Sequence, residues 1–139
     1  MTYVLDCSVT LAWLFEDEST PYTDRALEKL KESKAIVPAI WSLEVSNVIL
    51  LSQRKGRITS SKAASFIDAL ESLPILVDDT SSRRALHSVF TLAETYHLTI
   101  YDASYLELAL RENIPLLSLD KDLIKAAHRA NLKTECSVK

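Results

Sequence analysis

Four short apolar runs, "TYVLDC", "AIVP", "ILVDD" and "PLLSL", alternate with segments of helical character, and nothing else in the chain restricts its fold as much. Strands that read as continuous apolar stretches are buried on both faces. Strands alternating with helices indicate an α/β domain with a parallel sheet. The helices carry their own punctuation. Thr20 followed by Pro21 supplies an N-cap and a first-turn proline for "PYTDRALEKLKES". Thr59 caps "TSSKAASFIDALES", and Gly56 is placed to end "AIWSLEVSNVILLSQRK" in the left-handed region. "SVTLAWLF", "TSSRRALHSVFTLAETY", "TIYDASYLELAL" and "DKDLIKAAHRAN" read as the other helices, and "TECSV" as a final edge strand. There is no repeat or Gly/Ser linker, so residues 1–139 are expected to form a single three-layer α/β/α domain with a mainly parallel central sheet.

A hydrophobic fraction of 47% with 25% charged residues argues against disorder. No apolar run approaches the ~20 residues of a membrane span. The opening "MTYVLDCSVTLAWLFEDE" lacks a basic leader and carries Asp6 early, unlike a signal peptide. Cys7 and Cys136 have no CxxC partner, which points to a reducing cytoplasm and no disulfide framework. With a net charge of -3, any nucleic-acid contact must come from a local basic patch.

Four carboxylates stand in unusual places. Asp6 ends the first strand and Asp120 the last, so both project toward the rim of the sheet where ligands of open α/β folds gather. Each is also a plain N-cap candidate for the helix that follows. Helical spacing puts Glu44 on one stripe with Trp41, Val48 and Leu51. A carboxylate facing inward there costs several kcal/mol unless it is paired or bound to a cation. Asp102 shares its helix side with Tyr105, Leu106 and Ala109, and either caps that helix or faces a cation. Converging carboxylates resist ionisation together unless a cation neutralises them. An all-oxygen donor set suits Mg²⁺ or Mn²⁺.

The stretches "YVLDCSV", "WSLEVSNVI", "IYDASYLELA" and "PLLSLDKDL" resemble the PIN domain, and within it the VapC-type toxins of toxin–antitoxin pairs, in the same order and over nearly the whole chain. The resemblance implies a Mg²⁺- or Mn²⁺-dependent ribonuclease. It places Asp6, Glu44, Asp102 and Asp120 at the acidic metal-site and catalytic positions, and Ser8, Asn47 and Ser118 at supporting polar ones. It also implies a homodimer and a cognate antitoxin that blocks the site. Two departures are visible: "ENIP" precedes the last strand where relatives often have glycine, and Asp122 closely follows Asp120 as a competing acid.

Lys121, Lys125 and Arg129 recur every four residues as one basic helix face, either solvated or in contact with an RNA backbone. Arg54, Lys55 and Arg57 surround a helix C-terminus, where cations also suit the helix dipole. His87, His97 and His128 have no ligand spacing, and Tyr3, Trp13, Phe15, Trp41 and Tyr105 read as core or interface. A haloacid-dehalogenase-type phosphatase needs a second Asp where Ser8 stands. A receiver domain needs an acidic pair after the first strand, although "ILVDD" imitates its phospho-acceptor. A PIN-like module that binds RNA or a partner without cutting would have no need of all four acids.

Overall fold

The computed structural model describes residues 2–136. Its sheet is all-parallel, with the strand order β3-β2-β1-β4. The strands are β1 (Tyr3–Leu5), β2 (Ala35–Val37), β3 (Ile75–Val77) and β4 (Leu116–Leu117). In register, Tyr3 lies opposite Ala35, and Val4 stands between Ile36 and Leu116. All three β1 side chains are fully buried, so both faces of the sheet are covered at its centre, whereas the edge strand β3 leaves Leu76 and Val77 half exposed, contrary to the burial its apolar run implies. The α/β architecture is the expected one. From β1 the chain builds outward to β2 and β3, then returns to place β4 on β1's other side. That reversal makes the carboxyl ends of β1 and β4 a topological switch point. Asp6 follows one of these ends, and Ser118 and Asp120 follow the other.

The helices are α1 (Cys7–Ala12), α2 (Pro21–Lys29), α3 (Ile40–Arg54), α4 (Ser60–Glu71), α5 (Ser81–Arg84), α6 (Phe90–Tyr96), α7 (Ile100–Glu112) and α8 (Lys121–Arg129). Thr20 and Thr23 form a reciprocal capping box with Pro21 in the first turn, and Thr59 accepts the Lys62 N–H. Gly56 follows α3 at φ +79°, a conformation that a Cβ disfavours. Asn113 takes the corresponding left-handed position after α7 at φ 53°, so asparagine does in "ENIP" what glycine does elsewhere. Through α7 run the fully buried Ala103, Tyr105, Leu106, Leu108 and Ala109, which fix its first turn, and Asp102 with it, against the core.

Four expectations need correction. The segment "TSSRRALHSVFTLAETY" is not one helix, because a π-helical turn over Ala85–Val89 separates α5 from α6. The predicted helix "PYTDRALEKLKES" stops at Lys29, and Leu30 is its C-cap. Leu51 is 39% exposed, and the buried stripe of α3 runs through Trp41, Val45, Ile49 and Ser52 instead. Finally, residues 134–136 of "TECSV" are not a strand, and residues 137–139 lie outside the described residues. The Thr134 carbonyl accepts from Tyr22 and its hydroxyl meets His128, so side chains hold the segment in place of a ladder.

A partly buried ionic network joins the residue that follows β3 to α7. Arg111 donates from Nη2 to Asp78 Oδ2 at 2.7 Å and from Nε to Glu107 Oε1 at 3.0 Å, with Arg84 3.8 Å from the same Glu107 oxygen. Burial would raise the Asp78 carboxyl, but the hydrogen bond and charge of Arg111 hold it below the usual range. Asp78 is thereby committed to an ion pair and is not free to act as the receiver-type phospho-acceptor that "ILVDD" imitates.

Candidate active site

Asp6 occupies the N-cap position of α1 but makes no side-chain cap. Its carboxylate is 5% exposed and turns toward β4. Ser8 donates to Oδ2 at 2.6 Å and Ser118 donates to the same oxygen at 2.8 Å. Those hydroxyls are themselves fixed, since Ser8 Oγ accepts from Leu119 N and Ser118 Oγ from Asp120 N. Burial pushes the Asp6 carboxyl up, against the lowering effect of the two serines, and the charge of Asp120 adds to the rise.

Glu44 forms no ion pair among the described residues. Its partner is Tyr105, whose hydroxyl donates to Oε1 at 2.7 Å from inside the core. Burial raises the Glu44 carboxyl, Tyr105 opposes that, and Asp6 adds repulsion. Asp120 does cap α8, through Oδ1 and the Leu123 N–H at 3.0 Å. Asp102 does not cap α7, because Thr99 does so by accepting the Asp102 N–H. Half-buried at the third helical position, Asp102 is pushed up to about 6 by burial and then by the charges of Asp120, Asp6 and Glu44.

Four elements thus bring four acids into one electrostatic field. Among the described residues, side-chain donors and capping N–H groups hold one oxygen each of Asp6, Glu44 and Asp120 and leave the other free of side-chain donors. No three His, Cys, Asp or Glu side chains among those residues are gathered closely enough to enclose an ion. The chemistry of the donor set, all oxygen and paired with no Lys or Arg among the described residues, is that of a hard divalent cation's ligands. Asp122 is exposed on the first turn of α8, and its charge is not among those acting on Asp6 or Asp102. Asn47, one turn beyond Glu44, is exposed and makes no side-chain hydrogen bond among the described residues.

Tyr105 and Tyr22 are the residues that sequence reasoning missed. In the sequence Tyr105 reads only as core or interface and Tyr22 only as part of a helix, whereas the Tyr22 hydroxyl accepts from Ser118 N at 3.1 Å. Of the basic groups, Lys121, Lys125 and Arg129 are exposed along α8. Arg57 is held by Asp17 and Glu18 and stacked 3.6 Å over the Phe15 ring. Lining a groove of about 270 Å³ near Asp102 are Pro38, Leu43, Ile100, Tyr101 and Ser104 among others.

A family model for the PIN domain matches residues 3–129. The chain belongs to the PIN domain family. Among curated proteins, this PIN domain is 28% identical to ribonuclease VapC3 of Pyrobaculum aerophilum over 123 residues, covering 88% of the chain and 92% of that protein. It is 30% identical to ribonuclease VapC1 of Mycobacterium tuberculosis over 97 residues, 70% of the chain and 71% of that protein. Among solved structures, it superposes on a Pyrobaculum aerophilum protein with a TM-score of 0.67 at 21% identity, covering 91% and 84% of the two chains. VapBC2 of Rickettsia felis, solved bound to a DNA fragment from its promoter, gives 0.67 at 18% identity and 97% and 98% coverage. FitAcB of Neisseria gonorrhoeae gives 0.63 at 16%, over 98% and 97%. Among the described residues, no helix of the PIN domain is long and apolar enough to cross a membrane.

Proposed function

We propose that this PIN domain is a Mg²⁺- or Mn²⁺-dependent endoribonuclease, the VapC-type toxin of a toxin–antitoxin pair. One contrast carries the reading. The chain neutralises the half-buried Asp78 and the buried Glu107 with Arg111, yet leaves Asp6, Glu44, Asp102 and Asp120 in a common field with no basic partner among the described residues. Unpaired converging carboxylates raise one another's pKa, a cost that makes sense where a cation is to be bound. The names of the relatives, ribonucleases VapC3 and VapC1, agree with it.

Asp6, Asp102 and Asp120 would hold the cation, and Glu44 would hold a second one or orient water. A bound divalent cation supplies charge stabilisation at a phosphodiester and lowers the pKa of water. Ser8 and Ser118 fix the Asp6 rotamer, and Tyr105 fixes that of Glu44. A second copy and a cognate antitoxin complete the proposal. Exposed apolar side chains at Leu43 and Tyr101, which line one groove next to Asp102 in the chain, support a protein partner surface there.

The cation reading is tested by melting. Mn²⁺ at ten times its Kd stabilises by about 1.4 kcal/mol, a rise in Tm of about 5 °C for a domain of this size. The folded Asp102 carboxyl at about 6 lies above its ordinary 3.8, so ionising it costs stability. That cost is absent below the lower value and complete above the higher one. The chelated protein therefore loses stability from this group as pH rises from about 4 to 6, and the Mn²⁺ gain is larger at pH 7 than at pH 5. An equal Mn²⁺ effect at both pH values, or none, contradicts the reading.

Lys121, Lys125 and Arg129 are the proposed RNA backbone contacts. Replacing all three with Gln weakens RNA binding alike across sequences and flattens the salt slope by about 2, at ~0.7 per single-strand phosphate contact. Unchanged binding by the folded triple variant returns them to a solvated face.

A further inference from the structure

We infer that Tyr22 is a positioning residue whose hydroxyl ties the C-terminal segment to the Asp6 carboxylate through Ser118. The inference rests on the proposed role of Asp6 in holding a divalent cation. Tyr22 lies on α2, away from the switch point in sequence, and its phenolic oxygen donates to the Thr134 carbonyl at 2.6 Å. The same oxygen accepts the Ser118 N–H at 3.1 Å. Ser118, 1% exposed, donates from Oγ to Asp6 Oδ2 at 2.8 Å and accepts the Asp120 N–H at 3.0 Å.

The polarity of this relay is fixed at both hydroxyls. A carbonyl cannot donate, so the single phenolic proton points at Thr134 and leaves a lone pair for the Ser118 N–H. A backbone N–H cannot accept, so the Ser118 hydroxyl takes the Asp120 N–H and its own proton goes to Asp6. Burial pushes the Tyr22 hydroxyl up to about 12, which keeps its proton in place. The backbone at Ser118 thus depends on a side chain from α2, and that side chain in turn depends on residues after α8. Residues 133–136 are part of the acid site's scaffold, although no acid in the cluster belongs to them. Displacing that segment loosens the aim of Ser118 at Asp6.

Removing groups that orient a metal-holding side chain weakens metal affinity by about 10–100-fold. Tyr22→Phe is expected to raise the Mn²⁺ concentration at half-maximal Tm shift by about tenfold. Tyr3→Phe is the matched control, because the Tyr3 hydroxyl is also buried and also donates to a backbone carbonyl, Ala26 at 2.7 Å, and although it lies beside Tyr22 and Cys136 it makes no hydrogen bond to the relay or to the acids among the described residues. It should lower Tm in the chelated protein without moving the Mn²⁺ midpoint. A wild-type midpoint in Tyr22→Phe, or equal shifts in the two variants, overturns the relay while leaving the cation reading intact. Absence of any Mn²⁺ stabilisation in the wild type overturns both. If Tyr22→Phe does not fold, amide exchange of the wild-type chain decides. Mg²⁺ should slow exchange at Ser118 and across residues 133–136 together. Slowing confined to the surroundings of Asp6, with residues 133–136 unchanged, overturns the relay.

Discussion

Replacing Asp102 with Asn abolishes RNA cleavage and leaves the fold standing. Thr99, not Asp102, caps α7, and the capping bond runs to the Asp102 backbone N–H, so it survives an amide side chain. Ala103, Tyr105 and Leu106 continue to seat the first turns of the helix in the core. The substitution also removes one charge from a repelling group, so the metal-free variant is at least as stable as the wild type at pH 7. What disappears is a charge for holding a divalent cation. That cation's contribution of several kcal/mol at the phosphodiester corresponds to about a thousandfold in rate. Cleavage of a defined RNA by folded wild-type and variant protein, with Tm measured in parallel, is the check. A variant within tenfold of the wild type removes Asp102 from the site.

Arg111→Met is the largest expected stability loss. Arg111 faces two carboxylates at once, and Glu107 is only 4% exposed. Taking away the guanidinium leaves Glu107 buried with only Arg84, 3.8 Å off, as partner. Removing one partner of a buried ion pair typically costs about 3–5 kcal/mol, because a charge is left uncompensated. Partial exposure of Arg111 and the remaining Arg84 put the expected loss near ~3 kcal/mol. The double variant Arg111→Met with Glu107→Gln should recover much of it. Urea unfolding of the single and double variants measures both effects. A loss under 1 kcal/mol in the single variant shows that Glu107 finds solvent when unpaired.

These two predictions differ in how far the sequence alone led to them. Asp6 and Asp120 were legible because an apolar run ending in a carboxylate marks a strand end in an α/β chain, and ligands gather at such ends. Glu44 was legible through its helix phase, although Leu51, taken as part of that phase, faces out. Gly56, Thr20 and Thr59 announced helix ends because their caps form with neighbours two to four residues away. Interactions across long sequence separations stayed hidden. Glu107 and Arg111 are i,i+4, which is a visible pairing signal, but Asp78 joins them from another element. Tyr105 reaches Glu44 and Tyr22 reaches Ser118 only because the sheet order sets their helices beside the switch point. Nothing in a tyrosine's local surroundings tells a buried hydroxyl with a carboxylate partner from one that bonds a carbonyl, as Tyr3 does. The π-helical turn at Ala85–Val89 likewise has no local breaker, having neither Gly nor Pro.

The cation dependence proposed for this PIN domain rests on four acids that have no basic partner among the described residues. Its most direct test is incubation of the purified protein with total RNA in Mg²⁺ or Mn²⁺, in chelator, and in chelator followed by excess cation. Discrete cleavage is expected with cation, none in chelator, restoration on adding the cation back, and none at any stage with Asp102→Asn. Cleavage that persists in chelator, or that survives in Asp102→Asn, contradicts it.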